Sequence, residues 1–147
     1  MGELMTATHN FGVAPIRAAT TADTFKAALY LASATINAST TAYSATGEVT
    51  GTNYTAGGVS VTNATAPTAT NSSVTAGVAY WTPSASITYT TVTLSTAFDC
   101  VLIYNSTQSN KAVSVHTFGS QTITAGTFTL TMPTNSTTTA LLRLSTT

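Results

Sequence analysis

Two side chains in this sequence have the types that a nucleophilic pair requires: the single cysteine, Cys100, and one of the two histidines, His116. The stretch LIYNSTQSNKAVSVHTFGS, residues 102–120, joins them through an apolar run, a small polar loop and an alternating run. A loop centred near Gln108 sets Tyr104 opposite Ala112 and Cys100 opposite His116. Opposed residues of antiparallel strands hold their β-carbons about 4.5–5.5 Å apart, and a thiol at that distance from an imidazole can become a nucleophilic thiolate–imidazolium pair. Asp99 cannot orient the imidazole, because neighbouring residues of a strand face opposite sides. A slip of one residue removes the pairing altogether. A buried cysteine more often behaves as a small hydrophobe, so the expectation is packing, with no catalytic residue assigned.

Other chemistry finds little support. His9, in THNF, would need metal ligands from distant parts of the chain. Neither GxGxxG nor GxxxxGK[ST] occurs, so a nucleotide site has no motif, and GxSxG is absent too. Tyr80–Trp81 is the one compact aromatic pair that could form a sugar platform, although such residues more often anchor cores and interfaces. The ionic groups are Glu3, Arg17, Asp23, Lys26, Glu48, Asp99, Lys111 and Arg143, which sum to zero. Four scattered bases make no nucleic-acid patch, and four acids make a poor cation cage. No metal, cofactor or nucleic acid is expected.

Charge is the unusual quantity. Only 5% of residues are charged although 43% are hydrophobic, against about 25% charged in ordinary soluble domains. A chain with no net charge has little colloidal repulsion and tends to associate, so the chain reads as a subunit covered by neighbours. Its 147 residues fit one domain. One cysteine excludes an intrachain disulfide framework. The N-terminus lacks the basic and apolar regions of a secretory signal, and no apolar run is long enough for a spanning helix.

The elements that would position these residues are strands, since Thr, Val, Ile, Tyr and Phe fill the patterned segments. Residues 1–21 have no period, and Pro15 breaks any helix there. They read as an arm, with Met5, Phe11, Val13, Ile16 and Arg17 as its partner contacts; 22–147 reads as the β-domain. DTFKAALYLA (23–32) alternates as a strand, although its Ala and Leu content also fits a short helix. Residues 39–58 form a loop with one helical turn near Thr41–Ser44, VSVTN (59–63) a short strand and 64–77 an exposed polar loop. VAYW (78–81) is a strand. ITYT and VTL change phase at Thr90–Thr91, which predicts a bulge or turn. FDCVLIYN (98–105) is continuously apolar, as in a central strand, and KAVSVHTFG returns beside it. QTIT and TFTLTM flank Ala125–Gly126, which reads as a tight hairpin, and TALLRL closes the chain. Many short strands point to an all-β fold, a single antiparallel β-sandwich or jelly-roll-like domain.

Several of these segments resemble small virion structural proteins of tailed bacteriophages: His9-Asn10-Phe11, Asp23–Lys26, Gly47-Glu48-Val49, Gly51–Gly58 and Ile103-Tyr104-Asn105. The likeness runs from about residue 9 to the end. Gly12–Ala22 is longer than the family pattern, and Phe98-Asp99-Cys100 stands where it is usually small and basic. The resemblance implies a non-enzymatic capsid decoration (cement) protein that binds the major capsid protein or another virion protein, assembled into the particle in the host cytoplasm. It favours a homo-oligomer, a trimer first, without nucleic-acid or membrane partners. The alternatives are a tail or head–tail component and a carbohydrate-binding host-recognition module.

Overall fold

The structure, a computed structural model, describes residues 23–62, 68–69 and 77–145. The arm, with Met5, His9, Phe11, Val13, Ile16 and Arg17, lies outside them. Seven strands and no helix occur among the described residues: β1 (Phe25–Leu31), β2 (Val59–Val61), β3 (Thr68–Ala69), β4 (Val78–Trp81), β5 (Ile87–Asn105), β6 (Lys111–Leu130) and β7 (Leu142–Ser145). All pairings are antiparallel. The chain is all-β, as its composition of β-branched and aromatic residues requires.

The strands fall into two compact units. The larger holds a four-stranded sheet in the order β2-β1-β5-β6. Where β1 pairs with the second half of β5 the strands are largely apolar on both faces, and Phe25, Ala27, Ala28, Leu29, Tyr30, Val101, Leu102 and Ile103 are all buried. One face gathers Ala28, Tyr30, Cys100, Leu102 and Tyr104, covered by Ala34, Ile36, Tyr43, Ala112 and Val115. Burial on both faces explains why the FDCVLIYN run lacks alternation. The smaller unit holds a three-stranded sheet, β3-β4-β7. There Leu141 N–H donates to the Thr82 hydroxyl at 3.0 Å, fixing the entry to β7. The segment 64–77 contains β3, and so is not simply the loop its polar composition suggests.

Two local readings change. Thr41–Ser44 is extended, not helical. Ala42 bridges to Lys111, and Ala112 N–H donates to Thr41 O at 2.9 Å, so tertiary pairing takes the backbone bonds that a helical turn would have used. Ala125–Gly126 is no hairpin, since β6 runs through it. Ala125 takes φ 47°, the left-handed geometry a tight turn would also need, but β5 is already alongside, with Val92 opposite Gly126 and Leu94 opposite Ile123. The conformation is a bulge. The Ala125 N–H, turned out of the ladder, donates to the Thr93 hydroxyl at 3.0 Å. The phase slip at Thr90–Thr91 is likewise a bulge, with Thr91 at φ 52° and the register shifting between Tyr89 and Val92. One strand's extra residue offsets the other's, so β5 and β6 stay paired along almost their whole length.

Candidate functional site

The Cys100–His116 pair does not form. Tyr104 does face Ala112, but the register shifts between Ile103 and Tyr104, so that Cys100 lies opposite Thr117 and His116 opposite Val101. That one-residue slip sends the thiol and the imidazole to opposite faces of the sheet. Cys100 packs in the apolar cluster with Leu102 and Tyr104. Burial, then the nearby Asp99 carboxylate, pushes its thiol up to about 11, away from thiolate formation. His116 Nε2 lies 2.9 Å from the Ser114 hydroxyl, and burial lowers its pKa. Among the described residues no three of His, Cys, Asp and Glu converge on one point. Trp81 is fully buried, so Tyr80–Trp81 offers no platform for a sugar ring.

The dense polar constellation is elsewhere, around Glu48. The segment Gly47–Val49 runs along the outer edge of β1 beyond the end of β2. Leu31 N–H donates to Gly47 O at 2.9 Å, and Val49 N–H donates to Leu29 O at 3.0 Å. The bridge between Tyr30 and Glu48 makes them cross-strand neighbours, and the Glu48 side chain is buried. Its Oε1 accepts from the Tyr54 hydroxyl at 2.8 Å and from Gly57 N–H at 2.7 Å. Its Oε2 accepts from the Tyr43 hydroxyl at 2.6 Å. Three donors on one carboxyl group satisfy the burial requirement for a polar side chain.

Each tyrosine in this region continues the bracket. The Tyr54 hydroxyl also accepts from Leu29 N–H at 3.0 Å. Tyr30 donates to Ser44 O at 2.6 Å, Tyr104 to Gly57 O at 2.8 Å and Tyr89 to Ala27 O at 2.8 Å. Tyr43 stacks on Tyr104 with centroids 4.7 Å apart, and Tyr54 on Tyr89 at 6.0 Å. The loop's middle is pinned to the bulged part of β5, where Asn53 Nδ2 donates to Thr91 O at 2.9 Å and Thr93 N–H to Thr52 O at 3.1 Å. Gly58, at φ 73°, passes so close to β1 that a β-carbon there would sit 1.7 Å from Ala27 O. The motif Gly47–Gly58 is therefore a clamp holding a long irregular loop on the sheet. Sequence reasoning gave Glu48 no role. The available signal was a lone acid in a charge-poor, Gly- and Tyr-rich run.

The clamp has a pH signature. The hydroxyls of Tyr30, Tyr43, Tyr54, Tyr89 and Tyr104 are all raised above the ordinary tyrosine value near 10, with burial the leading cause in each and donation to Glu48 the next for Tyr43 and Tyr54. Tyr30 is pushed up to about 12. The native chain thus holds these protons where the unfolded chain has released them. Their stabilisation is complete below about pH 10 and is lost as pH rises through the folded values. Tyrosinate absorbance at 295 nm should therefore rise late and steeply, together with loss of the β-sheet CD signal. In strong denaturant it should rise smoothly near pH 10. A native titration that matches the denatured one would rule out the clamp.

No protein-family model matches the chain, and no curated protein and no solved structure shows significant similarity to it.

Proposed function

We propose that this chain is a non-enzymatic structural component of a tailed-bacteriophage virion, most specifically a decoration (cement) protein on the outer face of the capsid. The observation that carries the reading is the Gly47–Gly58 segment, one of those on which the family resemblance rests. Its Tyr54 and the neighbouring Tyr43 donate to its buried Glu48, and Gly51 and Gly58 lie so close to the sheet that a β-carbon on either would meet strand backbone. Such a segment serves to hold a surface in a fixed shape. The scarcity of charge, 5% of residues, favours a subunit that lies among neighbours. In this reading residues 1–21 supply contacts through Met5, Phe11, Val13, Ile16 and Arg17.

The test is the position of the protein in the particle that encodes it. Cryo-EM of that particle should show the β-domain on the outer shell, between capsomers. Density in the tail or at the head–tail junction would move the protein to the alternative role, and its absence from purified particles would reject the virion reading. Deletion of residues 1–21 should leave a folded domain that binds shells at least about tenfold more weakly, with little dependence on salt because so few charges take part.

A further inference from the structure

Five of the six tyrosines lie in the larger unit, as two stacked pairs and Tyr30 around Glu48. Tyr43 lies on Tyr104 with centroids 4.7 Å apart and planes 17° from parallel, and Tyr54 lies on Tyr89 at 6.0 Å and the same angle. Glu48 links the pairs, since its Oε2 accepts from Tyr43 at 2.6 Å and its Oε1 from Tyr54 at 2.8 Å. The other three hydroxyls donate to backbone carbonyls: Tyr30 to Ser44 O, Tyr89 to Ala27 O and Tyr104 to Gly57 O. That difference matters when an electron is removed. A phenol that loses an electron becomes a strong acid, and the neutral tyrosyl radical forms only where a base takes the proton. A carboxylate takes it, whereas an amide carbonyl does not hold it. Tyr43 and Tyr54 are therefore the members of the cluster that can be oxidised without leaving a positive charge in a poorly solvated interior.

Of the two, Tyr43 is the better placed. Its contact with the carboxyl group is the shorter, within the range of charge-assisted O–H···O⁻ bonds. The Tyr54 oxygen is also tied to Leu29 N–H at 3.0 Å. The Tyr43 ring is half-buried, and Thr41, Ala42, Ser44 and Ala45 around it in the chain are exposed, so a soluble oxidant can approach it. Burial, and then donation to Glu48, keep the proton on Tyr43 in the resting chain, so its electron and proton must leave together.

We infer that Tyr43, with Glu48 as its proton acceptor, is a redox site that captures one-electron oxidants, such as oxyl and peroxyl radicals, at this face of the protein. The Tyr43 O–H bond breaks, its electron passes to the oxidant and its proton to Glu48 Oε2, which leaves Tyr43–O• beside Glu48–CO₂H. The oxyl or peroxyl radical becomes its anion, which takes a proton from water. Tyr104, stacked on Tyr43 but bonded to a carbonyl, cannot keep the oxidation, and a hole placed there passes to Tyr43. A one-electron reductant such as ascorbate reverses the step, as Glu48 returns the proton. The inference rests on the geometry of the clamp and not on the virion reading.

The experiment uses the full-length chain with photogenerated tris(bipyridine)ruthenium(III) as the oxidant. EPR of rapidly frozen samples should show a neutral tyrosyl radical, and a nitroso spin trap should leave its adduct mainly on the peptide carrying Tyr43. Glu48→Gln keeps hydrogen-bonding groups but removes the base, and should slow radical formation at least about tenfold, below the usual contribution of a positioned base. The wild-type rate should fall in D₂O. Tyr43→Phe keeps the stacked ring, loses the O–H bond and should remove the fast phase of oxidation. Tyr80→Phe, at a half-exposed position of β4, should change nothing. Each variant is compared where its β-sheet CD matches wild type, and if Glu48→Gln does not fold, Tyr43→Phe and the isotope effect decide. An adduct mainly on Tyr54, Tyr80, Trp81 or Cys100, a folded Glu48→Gln variant that reacts as fast as wild type, a fast phase kept in Tyr43→Phe, or equal rates in the two solvents would each overturn the inference.

Discussion

Replacing Glu48 with alanine should cost the protein about 3–5 kcal/mol, a large share of the 5–15 kcal/mol that holds a domain of this size together. The Glu48 carboxyl group accepts from Tyr43, Tyr54 and Gly57 N–H. Truncation removes all three acceptor contacts at once. The Gly57 amide is on a buried residue and cannot rotate, so it bears the full cost of an unmet donor. Glu48→Gln separates this from a loss of side-chain volume. Its amide oxygen can still serve Tyr54 and Gly57, and the Tyr43 hydroxyl can rotate to accept from the new NH₂ group. The expected order of urea midpoints is therefore wild type, Gln, then Ala well below, with unchanged m-values. Equal losses for Gln and Ala, or an alanine variant within about 1 kcal/mol of wild type, would remove Glu48 from the centre of the clamp.

Gly58→Ala should be at least as damaging. Its β-carbon would fall 1.7 Å from Ala27 O and 2.8 Å from the Ala28 Cα, both backbone atoms of the central sheet. Neither can give way cheaply, because Ala27 O also receives the Tyr89 hydroxyl. The left-handed φ of 73° adds about 1–2 kcal/mol for any residue with a β-carbon. A loss above about 4 kcal/mol, or failure to accumulate as folded protein, is expected. Gly119→Ala is the matched control. With open space around that position, it should be neutral or slightly stabilising, since glycine is a poor strand residue. Similar melting temperatures for G58A and G119A would mean that the loop does not sit where it is described.

What could be read from the residues alone was whatever leaves a local trace. Most of the strands were legible because burial imposes alternation or an unbroken apolar run. The bulge at Thr90–Thr91 was legible because an extra residue reverses the phase of that alternation. The Ala125–Gly126 step was misread because a positive φ is shared by tight turns and bulges, and only the partner strand decides between them. The Cys100–His116 register failed for a similar reason. A single irregularity between Ile103 and Tyr104 leaves no mark in the hydrophobic pattern yet exchanges the faces of everything beyond it. The Glu48 cluster left the faintest trace. Its hydroxyls and amides are brought together by folding, and no periodicity encodes a hydrogen bond between Tyr54 and Leu29.

The placement of β1 governs the order in which this protein can be built. Its partners in the sheet are β2 and β5, and Thr24, at its entrance, meets Ser106 across a separation of 82 residues. The β5–β6 ribbon, joined by a short turn that Asn105 Oδ1 fastens through Thr107 N–H and Gln108 N–H at 3.1 Å, closes a far smaller loop and pays less entropy to nucleate. On the ribosome, FKAALYL emerges well before β5, its central neighbour, exists. An apolar, strand-forming segment in that position is exposed to other nascent chains for the whole interval. Folding is thereby made dependent on synthesis speed and on local crowding, a kinetic constraint that the finished sheet, with β1 sealed at its centre, no longer reveals.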